Sequence, residues 1–358
     1  MAISVIIPTY NRCTVLQRTL QSVAHLDASP NTFEVIVVDN GSTDATRESF
    51  ELVRSRFPKI DFRYFREPIP GLLSGRHRGV HEARGDICAF LDDDVRLSQD
   101  WLAALEQAFQ DPATILAGGP SRPLFECSPP LWLNKFYEEN EQGRFCIWLS
   151  LFDGGDRSKK VDPCYVFGLN FSIRKKALFE FGGFNPDLIT KSLQRFQGDG
   201  DFGLTLKLRR ENHNAFYHPN ASLLHEVSAK RLTAEYFEQR GFRQGVCDSY
   251  TVARTNGKPL QSPWSRFVSY AKQLLYRPSP SRNLRFSDIQ IRARTAYCVG
   301  YHFHRSNVLR DPTLLAWVRK KDYWDYSLPQ GWQRHFATDQ EMIEGIKANN
   351  SFVGADRP

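Results

Sequence analysis

No run of apolar residues approaches the roughly 18–20 needed to cross a bilayer, so no helical membrane span is expected in this sequence. A basic n-region is also missing. Met1 leads straight into a strand-like segment, and no signal peptide is expected. None of the 7 cysteines stands in a C-x-x-C pair. An odd, scattered set argues against a disulfide or zinc framework and for a reducing compartment, the cytoplasm. Thr9–Thr14 contains no glycine. A nucleotidyltransferase on a similar sheet would need a glycine-rich phosphate loop there. No internal repeat is present, and no nucleic-acid-binding module, so no nucleic-acid partner is expected.

Charge is plentiful but uneven. The 358 residues carry a net +7, and from Lys230 to Lys321 there are 18 Lys/Arg against 5 Asp/Glu. The rest of the chain is therefore net acidic. A basic, aromatic back half suits an anionic partner, such as the inner face of a membrane, or a contact between subunits. The expected division is residues 1–230 and a helical region 231–358.

Ile87–Leu91 is wholly apolar and ends abruptly in Asp92, Asp93 and Asp94. Such a run suits a buried strand of a mostly parallel sheet, with ligands beyond its carboxyl end. Three adjacent carboxylates repel one another unless a cation or ligand donors neutralise them. Oxygen ligands at this spacing suit Mg²⁺ or Mn²⁺.

Ile3–Ile7, Phe33–Val38 and Ile60–Phe65 read as further strands, with helical patterns between them. Short alternation of this kind predicts right-handed βαβ crossovers. It places Asp39 on the same edge as Asp92–Asp94, with Ser42 or Thr43 capping the helix that follows. Ser98–Phe109, Arg174–Phe181 and Leu204–Asn212 read as helices. Ile115–Gly118, Cys164–Ile173, Ala215–His218 and Ala221–Leu224 read as strands. Ser121–Lys160, rich in proline and aromatics, reads as a long excursion over the sheet edge or as a satellite hydrophobic cluster. Phe184–Leu188 reads as an exposed turn, and Trp264–Leu275 has helical spacing.

Seven segments in order resemble those of family 2 glycosyltransferases of the GT-A fold. They are Val5–Arg12 (V-I-I-P-T-Y-N-R), Val37–Asp44 (V-V-D-N-G-S-T-D), Gly71–Gly79, Ala83–Asp94, Gly168–Arg174, Gly182–Asn185 and Gly198–Phe202 (G-D-G-D-F). The resemblance covers about residues 1–230. It implies an α/β GT-A fold, a mixed, mostly parallel sheet flanked by helices, and sugar transfer with inversion from a nucleotide-diphosphate-sugar donor to a saccharide or lipid-linked acceptor. It also implies residue roles. Pro8, Tyr10, Asn11 and Asp39 line the nucleoside, with Arg76 near base and diphosphate. Asp92 and Asp93 lie toward the donor, and Asp94 ligates Mn²⁺ or Mg²⁺. Gly168–Asn170 floors the sugar. His225 is a third metal ligand, a phosphate contact, or structural. The general base falls on Asp199, with Asp201 as runner-up, because the usual E-D-x-D-L reads G-D-G-D-F here. Gly198 in place of Glu keeps open a binding protein without catalysis. Trp132, Phe145 and Trp148 stack on sugar or pack in a core.

Overall fold

The structure, a computed structural model, describes residues 2–27, 33–69, 71–185, 194–196, 198–255 and 286–324. The expected helix at Trp264–Leu275 lies outside them.

The strands are β1 (Ile3–Thr9), β2 (Phe33–Asp39), β3 (Asp61–Arg66), β4 (Ile87–Leu91), β5 (Val95–Leu97), β6 (Leu116–Gly118), β7 (Ser121–Phe125), β8 (Glu138–Asn140), β9 (Gly143–Cys146), β10 (Leu151–Asp153), β11 (Lys159–Val161), β12 (Asn170–Arg174), β13 (Ala215–Tyr217) and β14 (Leu223–Val227). The helices are α1 (Cys13–Ala24), α2 (Thr46–Arg56), α3 (Leu72–Glu82), α4 (Trp101–Ala108), α5 (Lys175–Glu180), α6 (Gly200–Arg210), α7 (Ala234–Thr255), α8 (Phe286–Arg310) and α9 (Pro312–Val318).

The first sheet has the order β11-β13-β6-β12-β4-β1-β2-β3. β3, β2, β1 and β4 run parallel, while β12 enters antiparallel beside β4. Every residue of β1, β2 and β4 is buried, because helices cover both faces. Parallel register sets Thr9 beside Asp39 and Asp39 beside Arg66, so the carboxyl ends form one edge.

Several local readings are corrected. Ser121–Lys160 is not a loop, for much of it folds into a second sheet, β5-β14-β7-β10-β9-β8. Its strands are short and interrupted by prolines, which hid the period of two. Below them Leu133, Phe136, Cys146, Leu149 and Leu151 pack with Val227, Leu232 and Phe237 as the satellite cluster. Trp132 and Trp148 lie against Phe237, with ring centroids at 5.1 and 5.7 Å, and Phe145 lies against Tyr165 at 5.3 Å. These rings therefore pack in cores. The strand expected from Cys164 begins only at Asn170, because Pro163 opens a 3-10 turn capped by Asp162. Helix α2 starts at Thr46, not after Ser42 or Thr43, since the Asp44 carboxylate takes the Thr46 N–H at 3.1 Å. The Ser98 hydroxyl donates to the Asn220 carbonyl at 2.9 Å and caps nothing; α4 starts at Trp101. Phe184, expected in an exposed turn, is fully buried and stacks on His77 at 5.9 Å.

Helices α7 and α8 lie backbone to backbone. A Cβ at Gly245 would run into the Tyr297 carbonyl oxygen, with the Tyr301 nitrogen at 2.7 Å. Overpacking typically costs about 1–3 kcal/mol. Gly245→Val should reach the top of that range and lower the melting temperature by several degrees, measurable by circular dichroism.

Candidate active site

The edge formed by β1, β2 and β4 gathers most of the expected residues. At the end of β2, the buried Asp39 carboxylate accepts the Ser42 N–H at 2.8 Å and the Tyr64 hydroxyl at 2.7 Å. Arg47 lies over the Tyr64 ring at 5.2 Å. Asn11 has a left-handed φ of 52°, a conformation asparagine tolerates. Its side chain accepts the Thr43 N–H at 2.8 Å, and its own N–H goes to the Ser42 hydroxyl at 2.9 Å. The two loops are thus clipped together, with Tyr10 beside them 53% exposed and Pro8 buried in β1.

At the end of β4, Asp93 accepts the Thr9 hydroxyl at 2.7 Å and Arg12 Nη1 at 2.7 Å. Burial pushes Asp93 up to about 7, against the pull of Arg12. Burial would raise Asp94 too, but the guanidiniums of Arg231 and Arg12 beside it hold it below the usual carboxylate range. Asp94 Oδ2 meets Arg12 Nη2 at 2.8 Å and Arg231 Nη2 at 3.4 Å. Its Oδ1 lies 3.5 Å from His225 Nε2. His225 sits within β14, not beyond it. Its Nδ1 faces the Leu149 carbonyl at 3.0 Å and its Nε2 faces Arg231 Nη1 at 2.7 Å. A carbonyl can only accept and a guanidinium can only donate, so the proton is on Nδ1 and the Nε2 lone pair points at the cluster. Among the described residues no three His, Cys, Asp or Glu form a ligand set. Asp94 and His225 are the pair that could hold a cation.

Arg76 is 1% exposed beneath the cluster. Its Nη2 donates to the Gly168 carbonyl at 2.8 Å and to Asp92, which is partly exposed, at 3.2 Å. The Gly168 N–H donates to Asp201 Oδ2 at 2.7 Å. A Cβ at Gly168 would meet the ends of the Arg76 and Asp201 side chains at 2.6 Å, so a larger residue there would displace them. Asp201 is thereby linked to Asp92 through Gly168 and Arg76.

Two expected residues point elsewhere. The Asn170 side chain is used up inside the protein, accepting Trp101 Nε1–H at 3.0 Å and donating to the Ala221 carbonyl at 2.8 Å. Only its backbone, beside Leu91, borders the edge. Asp199 is turned into the interior, where Thr251 Oγ1 and Arg254 Nη2 both reach its Oδ2 at 2.7 Å. Its Oδ2 is engaged by both, and the reason is tertiary, since both partners come from α7. Arg12, Arg231 and Tyr64 carry site contacts that sequence reading did not single out. Arg12 had a signal, lying just past the first strand, whereas Arg231 had only its place shortly after His225.

Residues 4–181 match the family described as glycosyl transferase family 2. The chain belongs to that family. Its fold is GT-A, like that of a mannosyltransferase from Pyrobaculum calidifontis solved with GDP-Man and Mn²⁺, at a TM-score of 0.50 and 16% identity over 99% of this chain and 85% of that one. Among family members, a validoxylamine A glucosyltransferase of Streptomyces hygroscopicus subsp. limoneus is 38% identical over 31% of this chain. The match spans only 24% of that relative's length. A glucosyl-dolichyl phosphate glucuronosyltransferase of Haloferax volcanii is 24% identical over 68% of this chain and 75% of the relative. Among the described residues no helix is long and apolar enough to cross a membrane.

Proposed function

We propose that this glycosyltransferase moves a sugar, with inversion, from a nucleoside-diphosphate donor to an acceptor hydroxyl, with Asp201 as the general base. The carrying observation is the Asp201–Gly168–Arg76–Asp92 chain of contacts, which joins a half-exposed carboxylate to the acidic end of β4. An acceptor hydroxyl needs a carboxylate to take its proton as the anomeric carbon is attacked from the opposite face. Asp39, Asn11 and the exposed Tyr10 ring offer a nucleoside one acceptor and one stacking face. Each Asp39 oxygen accepts one hydrogen bond, which leaves a lone pair for a base N–H.

The residues fit a divalent cation. Asp94 Oδ1 is buried with no hydrogen-bond partner among the described residues. His225 Nε2 lies 3.5 Å from it, with the ring held by the Leu149 carbonyl behind it. Asp94 and His225 would hold Mn²⁺ or Mg²⁺, which when bound neutralises charge on a leaving diphosphate. Arg12 adds a fork for phosphate oxygens. The acceptor, saccharide or lipid-linked, is proposed to approach from the Asp201 side, and residues 231–358 to meet the surface that presents it. Against a binder without catalysis stands the Asp201 carboxylate on this chain of contacts.

A thermal-shift panel of UDP-, GDP-, dTDP- and CDP-sugars with Mn²⁺ tests this reading. One base should stabilise the protein by about 2.7 kcal/mol at a hundred times its Kd, and Asp39→Ala should abolish the shift. No shift with any of the four overturns it.

A further inference from the structure

The acidic end of β4 is already charge-balanced by the protein itself. Asp92 faces Arg76 at 3.2 Å, Asp93 faces Arg12 at 2.7 Å, and Asp94 faces Arg12 at 2.8 Å and Arg231 at 3.4 Å. Three guanidiniums thus answer three carboxylates. A divalent cation added alone would bring two positive charges into a cluster with none to spare, beside guanidiniums that repel it. Arg231 stands in its way most directly. The Arg231 guanidinium donates to His225 Nε2 at 2.7 Å and approaches Asp94 with its other nitrogen, so it engages both residues that fit a cation.

The three arginines differ in freedom. Arg76 is 1% exposed and held by Gly168. The Arg231 side chain is 29% exposed, and that of Arg12 39%. Arg231 belongs to the short 3-10 turn Ala229–Leu232 between β14 and α7. That turn is pinned at both ends. Ala229 N–H donates to Glu126 at 2.7 Å, and Leu232 is buried in the satellite core. A long side chain on a fixed backbone can change partner by rotation alone.

We propose that Arg231 exchanges partners, leaving His225 and Asp94 for the donor's diphosphate, and that this exchange makes cation and diphosphate bind as an obligate pair. The proposal rests on the cation reading above. The diphosphate brings the negative charge that lets the Arg231 guanidinium turn from Asp94, and it gives Arg231 a bidentate anion in return. By linkage the coupling is reciprocal: the diphosphate raises affinity for the cation by the same factor as the reverse.

Arg231→Gln separates this from a clamp that merely holds His225. Mn²⁺ binding is followed by electron paramagnetic resonance with Mn²⁺ alone, then with UDP and GDP in parallel, so the base need not be known. In the wild type either nucleotide that binds should tighten Mn²⁺ by about a hundredfold, near the upper range of such couplings. In Arg231→Gln, Mn²⁺ alone should bind roughly tenfold more tightly, while the nucleotide in Mn²⁺ binds roughly tenfold more weakly, each about 1.4 kcal/mol. The signs are opposite, which misfolding cannot produce. Weaker binding of Mn²⁺ alone, or no change in either affinity, overturns the exchange and leaves a clamp. Wild-type protein that binds nucleotide but never Mn²⁺ overturns the cation reading as well.

Discussion

Asp201→Asn is expected to lower sugar transfer by about a thousandfold, within the usual range for removing a general base. Donor affinity and melting temperature should stay close to those of the wild type. The substitution is chosen because asparagine keeps the one contact the structure assigns to this side chain. Asp201 Oδ2 accepts the Gly168 N–H at 2.7 Å, and an amide oxygen can accept it equally well. Gly168 then still offers its carbonyl to Arg76, and Arg76 still reaches Asp92. Only basicity is lost. Single-turnover transfer with saturating donor isolates the chemical step, and donor titration reports the intact cleft. Transfer within threefold of wild type would move the base elsewhere, with Asp92, the partly exposed carboxylate on the same contact chain, next in line.

The parallel core was legible because its strands are uniformly apolar and end in sharp polar turns. Ile87–Leu91 and Phe33–Val38 needed no tertiary information to be placed in one parallel sheet, on either side of β1, and Asp39 and Asp92–Asp94 followed from the direction of the chain. The second sheet was not legible. Apart from β14, part of which Ala221–Leu224 anticipated, its strands have three to five residues, some half-exposed, and β7 carries Pro123 paired with His225. The carboxylate roles near residue 200 were ambiguous for a different reason. G-D-G-D-F contains two aspartates two residues apart, and Gly200 between them has φ 52°. That left-handed residue sends the two side chains to opposite sides of the segment. The partner that draws Asp199 inward lies 55 residues further on in α7. No local pattern carries such a pairing. The Asn170 side chain likewise finds its partners, Trp101 and Ala221, in distant elements.

The same geometry makes a second large effect predictable. Asp199→Asn alone should destabilise the protein by about 3–5 kcal/mol, the usual cost of leaving one member of a buried ion pair uncompensated. Arg254, whose side chain is 8% exposed, would be that member. Transfer should fall with it, because Asp199 is the N-cap of α6 and anchors the segment that carries Asp201. Asp199→Asn combined with Arg254→Met removes both charges and fills the arginine's stem volume, an exchange that is often neutral or stabilising. Thr251 keeps an acceptor in the asparagine oxygen. The double variant should therefore recover to within about 1 kcal/mol of wild-type stability and regain most of the transfer lost by the single one. Thermal melts and transfer rates of the three proteins decide between anchor and base. A general base cannot be rescued by deleting an arginine, since the carboxylate stays absent; an anchor can, since what it needs is a packed, neutral contact with α7. A double variant that folds like the wild type but transfers as poorly as Asp199→Asn would return the base to Asp199 and leave Asp201 as the residue that orders Gly168.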